Sequence, residues 1–217
     1  MSSSRLEHAR GSPSPLESIV RSRFSVRRYD ERPISDEDVR SIVEAARLAP
    51  SAENSQPWRF VAVTGRPALE RVARLCFSGI FRPTRFAAKA PLIIALCAER
   101  GSLVEAGKSV KDRAMYQLDC GIAGEHLVLR AAELGLGTCW IGWFNRSGAR
   151  RALGVPFHVR VVALISVGYP AADLPPRPKV RKQLGQVLYK DAWGVAFPGA
   201  GTGGDSARSA DQDDVEK

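Results

Sequence analysis

The sequence predicts helices and strands mixed in one compact α and β domain. Three observations carry that expectation. Apolar residues recur at helical spacing behind a cap at Ser35, the stretches 92–97 and 159–169 are apolar runs of strand length, and the connections are too irregular for a repeating strand–helix–strand unit. A chain of 217 residues suits one well-buried core and is short for two. Its 44% hydrophobic and 25% charged content is that of an ordinary globular domain.

The elements follow in order. Residues 1–15 are rich in Ser, Arg and Pro without periodicity, and residues 199–217 are rich in Gly, Ser and Asp. Both read as disordered tails, so the folded unit is expected to span 16–198. Ser35 is an N-cap candidate, Asp38 stands at the capping-box position, and Asp36 and Glu37 complement the positive helix end. Val39, Ile42, Val43 and Ala46 follow at helical spacing until Pro50 ends the pattern. Residues 58–64 read as a strand stopped by Gly65, 67–76 as a short helix, and 92–97 as a fully buried strand. Ser109 and Asp112 offer a second capping box, from which a helical pattern runs to Leu134 and stops at Gly135. Its second half, 122–134, is apolar on nearly all sides apart from Glu125, His126, Arg130 and Glu133, which predicts burial in a core or between subunits. Residues 138–143 and 159–169 give two more strands, with a short helix at 147–153 between them.

Composition narrows the function classes. The longest apolar run, 90–98, is about half of the roughly 20 residues a membrane span needs. The first residues lack the apolar core of a secretory signal, so a soluble, cytoplasmic protein is expected. Cys76, Cys97, Cys120 and Cys139 form no CxxC, and none of His8, His126 and His158 stands beside a cysteine. Buried free thiols are expected rather than a metal site or a disulfide framework. The formal charge of +9 invites a nucleic-acid partner, but no RNA-binding or zinc-finger motif and no lysine-rich run accompanies it. An arginine-rich surface with a phosphate-bearing ligand is the expectation.

Three stretches are not accounted for by folding. Arg23-Phe-Ser-Val-Arg27-Arg28 precedes the first capped helix, and Pro50-Ser-Ala-Glu-Asn-Ser-Gln-Pro-Trp58 follows it. The third, Arg177-Pro-Lys179-Val-Arg181-Lys182, lies beyond the last strand. Arginine suits phosphate because its planar fork donates two parallel hydrogen bonds, and a hydroxyl such as Ser25 adds a short donor. Two basic clusters from opposite chain ends would serve one anion if they met. Asn54, Gln56 and Trp58 stand on alternate positions, as if on a short extended segment.

RxSxR, then PSxxNxQPW, then GLGTCWIG, then RK before a final apolar segment, in this order, resemble the nitroreductase family of flavin enzymes. The resemblance covers most of the chain from Leu16 to about Val195, and its specific parts are the PSAENSQPW loop and GLGTCWIGWF. It implies an α+β fold, a three-layer sandwich with a central, mostly antiparallel sheet flanked by helices. It implies bound flavin mononucleotide (FMN), with Arg23 and Ser25 at the phosphate and ribityl end and Arg27 nearer the pyrimidine edge. Pro50, Ser51, Ala52 and Asn54 would lie against flavin held mainly by the other subunit of a homodimer. Gln56 and Asn54 would satisfy polar groups there, and Trp58 would wall the cleft. Thr138, Cys139, Trp140, Ile141 and Gly142 match the segment lining the isoalloxazine. Arg181 and Lys179 match the late basic position that closes on the phosphate, and residues 184–193 are expected to lie on the partner subunit.

The activity implied is transfer of hydride from NAD(P)H through the flavin to a small organic acceptor, such as a nitroaromatic or quinone, with ping-pong kinetics. No catalytic side chain, metal, nucleic acid or membrane is required. The alternatives are a specialised relative, such as a reductive dehalogenase or ring oxidase, and a flavin-binding protein without turnover. Phe24 stands where many relatives place a second basic residue or a histidine. His126 replaces a common asparagine and is expected to be a hydrogen-bonded core histidine. The flavin contact that relatives supply from 76–84 has no counterpart assigned.

Overall fold

A computed structural model of the chain describes residues 13–99, 115–174 and 179–201. The chain divides into two units, 1–175 and 176–217. The first contains nine regular elements among its described residues: α1 (Pro15–Ser22), α2 (Asp36–Arg47), β1 (Trp58–Val63), α3 (Arg66–Cys76), β2 (Leu92–Glu99), α4 (Met115–Glu133), β3 (Gly137–Ile141), α5 (Arg146–Leu153) and β4 (Val159–Gly168).

The strands form one antiparallel sheet in the order β1-β2-β4-β3. β2 shows why the molecule has three layers. Leu92, Ile94, Leu96 and Ala98 join one core with Ile42 and Ala46 of α2 and Leu127, Val128 and Ala131 of α4. Ile93, Ala95 and Cys97 join a second core with Leu69 and Val72 of α3 and Ala149 and Ala152 of α5. Successive side chains of a strand point to opposite faces, so a strand apolar at every position must be covered on both sides. The fold is therefore α+β, with helices flanking a central antiparallel sheet.

Local signals built these elements. The Ser35 hydroxyl accepts from the Asp38 N–H at 3.0 Å and starts α2. Gly135 adopts φ +74°, and the Leu136 N–H reaches the Ala131 carbonyl at 2.8 Å, which closes α4. The helix start expected at Ser109 lies outside the described residues. The apolar half of α4 is explained by its position between the sheet and α2, with Cys120, Ala123, Gly124, Leu127, Val128 and Ala131 buried. His126 is a hydrogen-bonded histidine as expected, its Nδ1 3.3 Å from the Ala45 carbonyl oxygen. All four cysteines are free and buried. Two elements had no sequence expectation. α1 starts at a Ser14 cap, and a 3-10 stretch occupies Gly79–Lys89.

Among the described residues, no helix is long and apolar enough to cross a membrane, and no cluster of His, Cys, Asp and Glu could hold a metal ion. The second unit, taken by itself, has a 3-10 turn at Leu184–Gln186 and a bridge between Tyr189 and Ala196. It exposes large apolar side chains, with Trp193 90% exposed.

Candidate functional site

The edge of the sheet at β3 is where the Arg23–Arg27 segment meets the GLGTCWIG stretch. β3 is an outer strand, and the segment after α1 comes to lie along it. Ser25 forms a parallel bridge with Thr138, and the Val26 N–H donates to the Thr138 carbonyl at 2.9 Å. Gly137 permits this approach, because a Cβ there would stand 2.4 Å from Val26 Cγ2. Tyr29 then pins the segment. Its hydroxyl donates to the Val26 carbonyl at 2.6 Å and lies 2.7 Å from Ser166 Oγ on β4. Burial pushes the Tyr29 phenol pKa up, so the hydroxyl stays a donor. Further along, the Asp30 N–H donates to the Tyr169 carbonyl at 2.9 Å, and Arg28 pairs with Asp173.

The RxSxR segment runs beside Thr138 and Cys139 of β3. Burial raises the pKa of this thiol, while Arg27, Ser25 and Arg23 pull it down. Arg27 and Ser25 are exposed and Arg23 is half-buried, so all three border a surface rather than a closed core. The bond from Val26 to the Thr138 carbonyl shows that Thr138 directs its backbone polar groups outward. By strand alternation, the N–H of Trp140 points to the same edge. Thr138, Cys139 and Ile141 are buried, Trp140 is half-buried and Gly142 is exposed. The Trp140 indole is seated on α4 at Gly124, where a Cβ would stand 2.2 Å from its Cη2. The edge thus presents two guanidinium groups, a hydroxyl and a backbone donor. That set recognises a ligand rich in acceptor atoms with an anionic end.

The PSAENSQPW loop corrects one expectation. Its residues are not extended. Ala52–Asn54 form a 3-10 turn, and Glu53, Asn54 and Gln56 have φ of 53°, 54° and 44°. The Ser51 hydroxyl accepts from the Gln56 N–H at 2.9 Å, and the Gln56 amide donates to Asn54 Oδ1 at 3.0 Å. These side chains therefore satisfy the loop itself within one subunit. Pro50, Asn54 and Gln56 are exposed, while Ser51 and Ala52 are half-buried. Trp58 does begin β1, but at 4% exposure its indole belongs to the core, not to a cleft wall.

The loop is anchored by a residue that sequence reasoning passed over. Asp119 on α4, 3% exposed, accepts from the Ala52 N–H at 3.0 Å through Oδ1. Its neighbours Tyr116, Cys120 and Ala123 pack in the same core. An acid at helical spacing within an apolar face was the available signal. Lys179 and Arg181 belong to the second unit. There Arg181 is exposed and donates to its neighbour's carbonyl, that of Val180, at 2.9 Å.

Comparison with known proteins sets this geometry in context. A profile described as the nitroreductase family matches residues 20–169. An Archaeoglobus fulgidus protein, provisionally named NADH dehydrogenase/NAD(P)H nitroreductase, is 36% identical over 156 residues, which is 70% of this chain and 83% of that protein. Among solved structures, a nitroreductase family protein from Clostridium novyi NT superposes with a TM-score of 0.65 at 28% identity, over 85% of this chain and 97% of that one. A Clostridium difficile R20291 protein described as an FMN-dependent nitroreductase gives a TM-score of 0.66 at 26% identity, over 81% and 98% of the two chains.

Proposed function

The chain belongs to the nitroreductase family and is an oxidoreductase, and from that premise we propose that it binds FMN at the β3 edge, takes hydride from NAD(P)H and reduces a small organic acceptor by a ping-pong route. The observation that carries the reading is the bridge of Ser25 to Thr138, which lays the Arg23–Arg27 segment along the exposed β3 edge. The donor set fits FMN, whose phosphate and ring oxygens are acceptors and whose phosphate is an anion.

Bound FMN would supply the two-electron redox chemistry; the protein positions it and sets its surroundings. Arg23 and Ser25 would hold the phosphate and ribityl end. Arg27 would place a permanent positive charge at the pyrimidine edge, where it favours the reduced form. Thr138, Cys139, Trp140, Ile141 and Gly142 would line the ring. The packing of Trp140 on Gly124 keeps this wall rigid. Lys179 and Arg181 are proposed to join at the phosphate.

The same reading makes the working form a homodimer, with Pro50, Ser51, Ala52, Asn54 and Gln56 reaching flavin held mainly by the other subunit. Support comes from apolar side chains that one subunit leaves uncovered, Leu16 and Val20 on α1 and Met115 and Leu118 on α4. The folded domain is proposed to span 16–198, with tails on either side.

Anaerobic titration of the FMN-loaded chain with NADH and NADPH tests the activity. Loss of the visible flavin band on adding either donor, and its return with a quinone or nitroaromatic, is expected. A flavin band that neither donor bleaches would leave a flavin-binding protein without turnover.

A further inference from the structure

The α3 side of the first unit carries a basic groove that adjoins the β3 edge through Arg27 and Arg28. A cavity of about 610 Å³ is lined by Arg27, Arg28, Arg66, Arg85 and Lys89 around Phe86. A second, of about 580 Å³, adds Arg74 and Arg82 and shares Glu70, Ala73 and Arg85 with the first. Glu70 is the one acid lining either cavity. Arg28 is paired with Asp173, but the side chains of Arg66, Arg74, Arg82, Arg85 and Lys89 make no hydrogen bond or ion pair with any described residue. The first turn of α3 has no acid, and its N-cap, Gly65, has no capping side chain. The positive end of the helix dipole is thus left uncompensated beside Arg66.

Surfaces that serve solubility intersperse charges of both signs. Here like charges crowd two adjoining concave spaces, where they repel one another unless an anion lies between them. The extent of the groove suits several anionic groups in one ligand better than a single carboxylate. Arg27 ties the groove to the flavin edge, its guanidinium 5.7 Å from the Phe86 ring centroid.

We propose that this groove binds the phosphates of the dinucleotide donor and makes NADPH, with its additional 2′-phosphate, preferred over NADH. The identity of the donor rests on the flavin oxidoreductase reading; the presence of a nucleotide phosphate site does not. The test uses the full chain loaded with FMN. Adenosine 2′,5′-bisphosphate and 5′-AMP are titrated by calorimetry, and KM and kcat are measured for NADPH and NADH, in the native protein and in R66Q/R85Q. The bisphosphate should bind at least about tenfold more tightly than 5′-AMP, the scale of one charge-assisted hydrogen bond. The double variant should raise KM for both donors, for NADPH by at least about tenfold more than for NADH, and leave kcat, FMN content and melting temperature unchanged. Equal affinity for the two nucleotides in the native protein would overturn the proposal, whatever the variant does. Release of FMN by a folded double variant would also overturn it, by assigning the groove to the flavin phosphate. A chain that discriminates between the nucleotides yet never bleaches would keep the phosphate site and sink the proposed NAD(P)H-to-flavin turnover instead.

Discussion

Asp119 shows how one buried acceptor fixes a loop. Replacing it with alanine leaves the Ala52 N–H without its charged partner and should cost about 1.5–3 kcal/mol in chemical denaturation, the range for a hydrogen bond to a charged group. A change within about 0.5 kcal/mol, as expected of an ordinary surface site, would show that the bond does not anchor the loop. The cysteines give a second prediction. Burial raises the thiol pKa to about 12 for Cys76 and Cys120 and about 11 for Cys97, against about 8.5 for a free cysteine. Each therefore contributes stability that is fully present below about pH 8.5 and is lost as pH rises toward the folded values, by about 1.4 kcal/mol per pH unit for each thiol ionised only in the unfolded chain. Urea midpoints at about pH 7 and about pH 10 should fall on the alkaline side, and a thiol reagent near pH 8 should label the native chain far more slowly than the denatured one. At this scale the sequence was readable where chemistry is local. The buried cysteines and His126 needed only their apolar neighbours. Asp119 was not readable, because its role depends on a loop 67 residues away folding back onto α4.

Among the elements, the contact between α4 and β3 is open to disruption by a single change. A Gly124→Ala substitution puts a Cβ 2.2 Å from the Trp140 ring and should cost about 1–3 kcal/mol by overpacking. The displaced indole should also shift the tryptophan fluorescence and weaken FMN binding; an unshifted spectrum with native flavin affinity would show that Trp140 is not held by this packing. The strands and capped helices were legible because period and cap agree: Ser35 before α2, Gly135 after α4, and unbroken apolar runs for β2 and β4. α1 was not, since it begins in a Ser- and Pro-rich stretch that also describes a tail. The Gly79–Lys89 stretch has no 3.6-residue period to read and contains Pro83. The turn in the PSAENSQPW loop is not legible because neither Glu53 nor Gln56 advertises a left-handed backbone in the way glycine does.

For the whole molecule, the site is proposed to be complete only in a dimer. Leu118, 58% exposed on α4, and Leu16, 61% exposed on α1, belong to helices that pack together. Leu118→Glu should move sedimentation toward the monomer and weaken FMN binding with it, since the dimer and the bound flavin stabilise each other by mass action. A monomeric variant with native flavin affinity would separate the loop from the site. Pattern carried helices and strands in one domain; the α+β sandwich and the chemistry followed from which motifs co-occur. How Arg23, Ser25 and Arg27 come to border the β3 edge was beyond sequence, because it needs the segment after α1 to return along β3. The most direct test of the account is one calorimetric titration of the flavin-free chain, first with FMN and then, in parallel, with riboflavin. One FMN should bind per chain, with riboflavin weaker by at least about tenfold, the share of one charge-assisted phosphate contact. No heat of binding from either ligand, or equal affinity for the two, would contradict it.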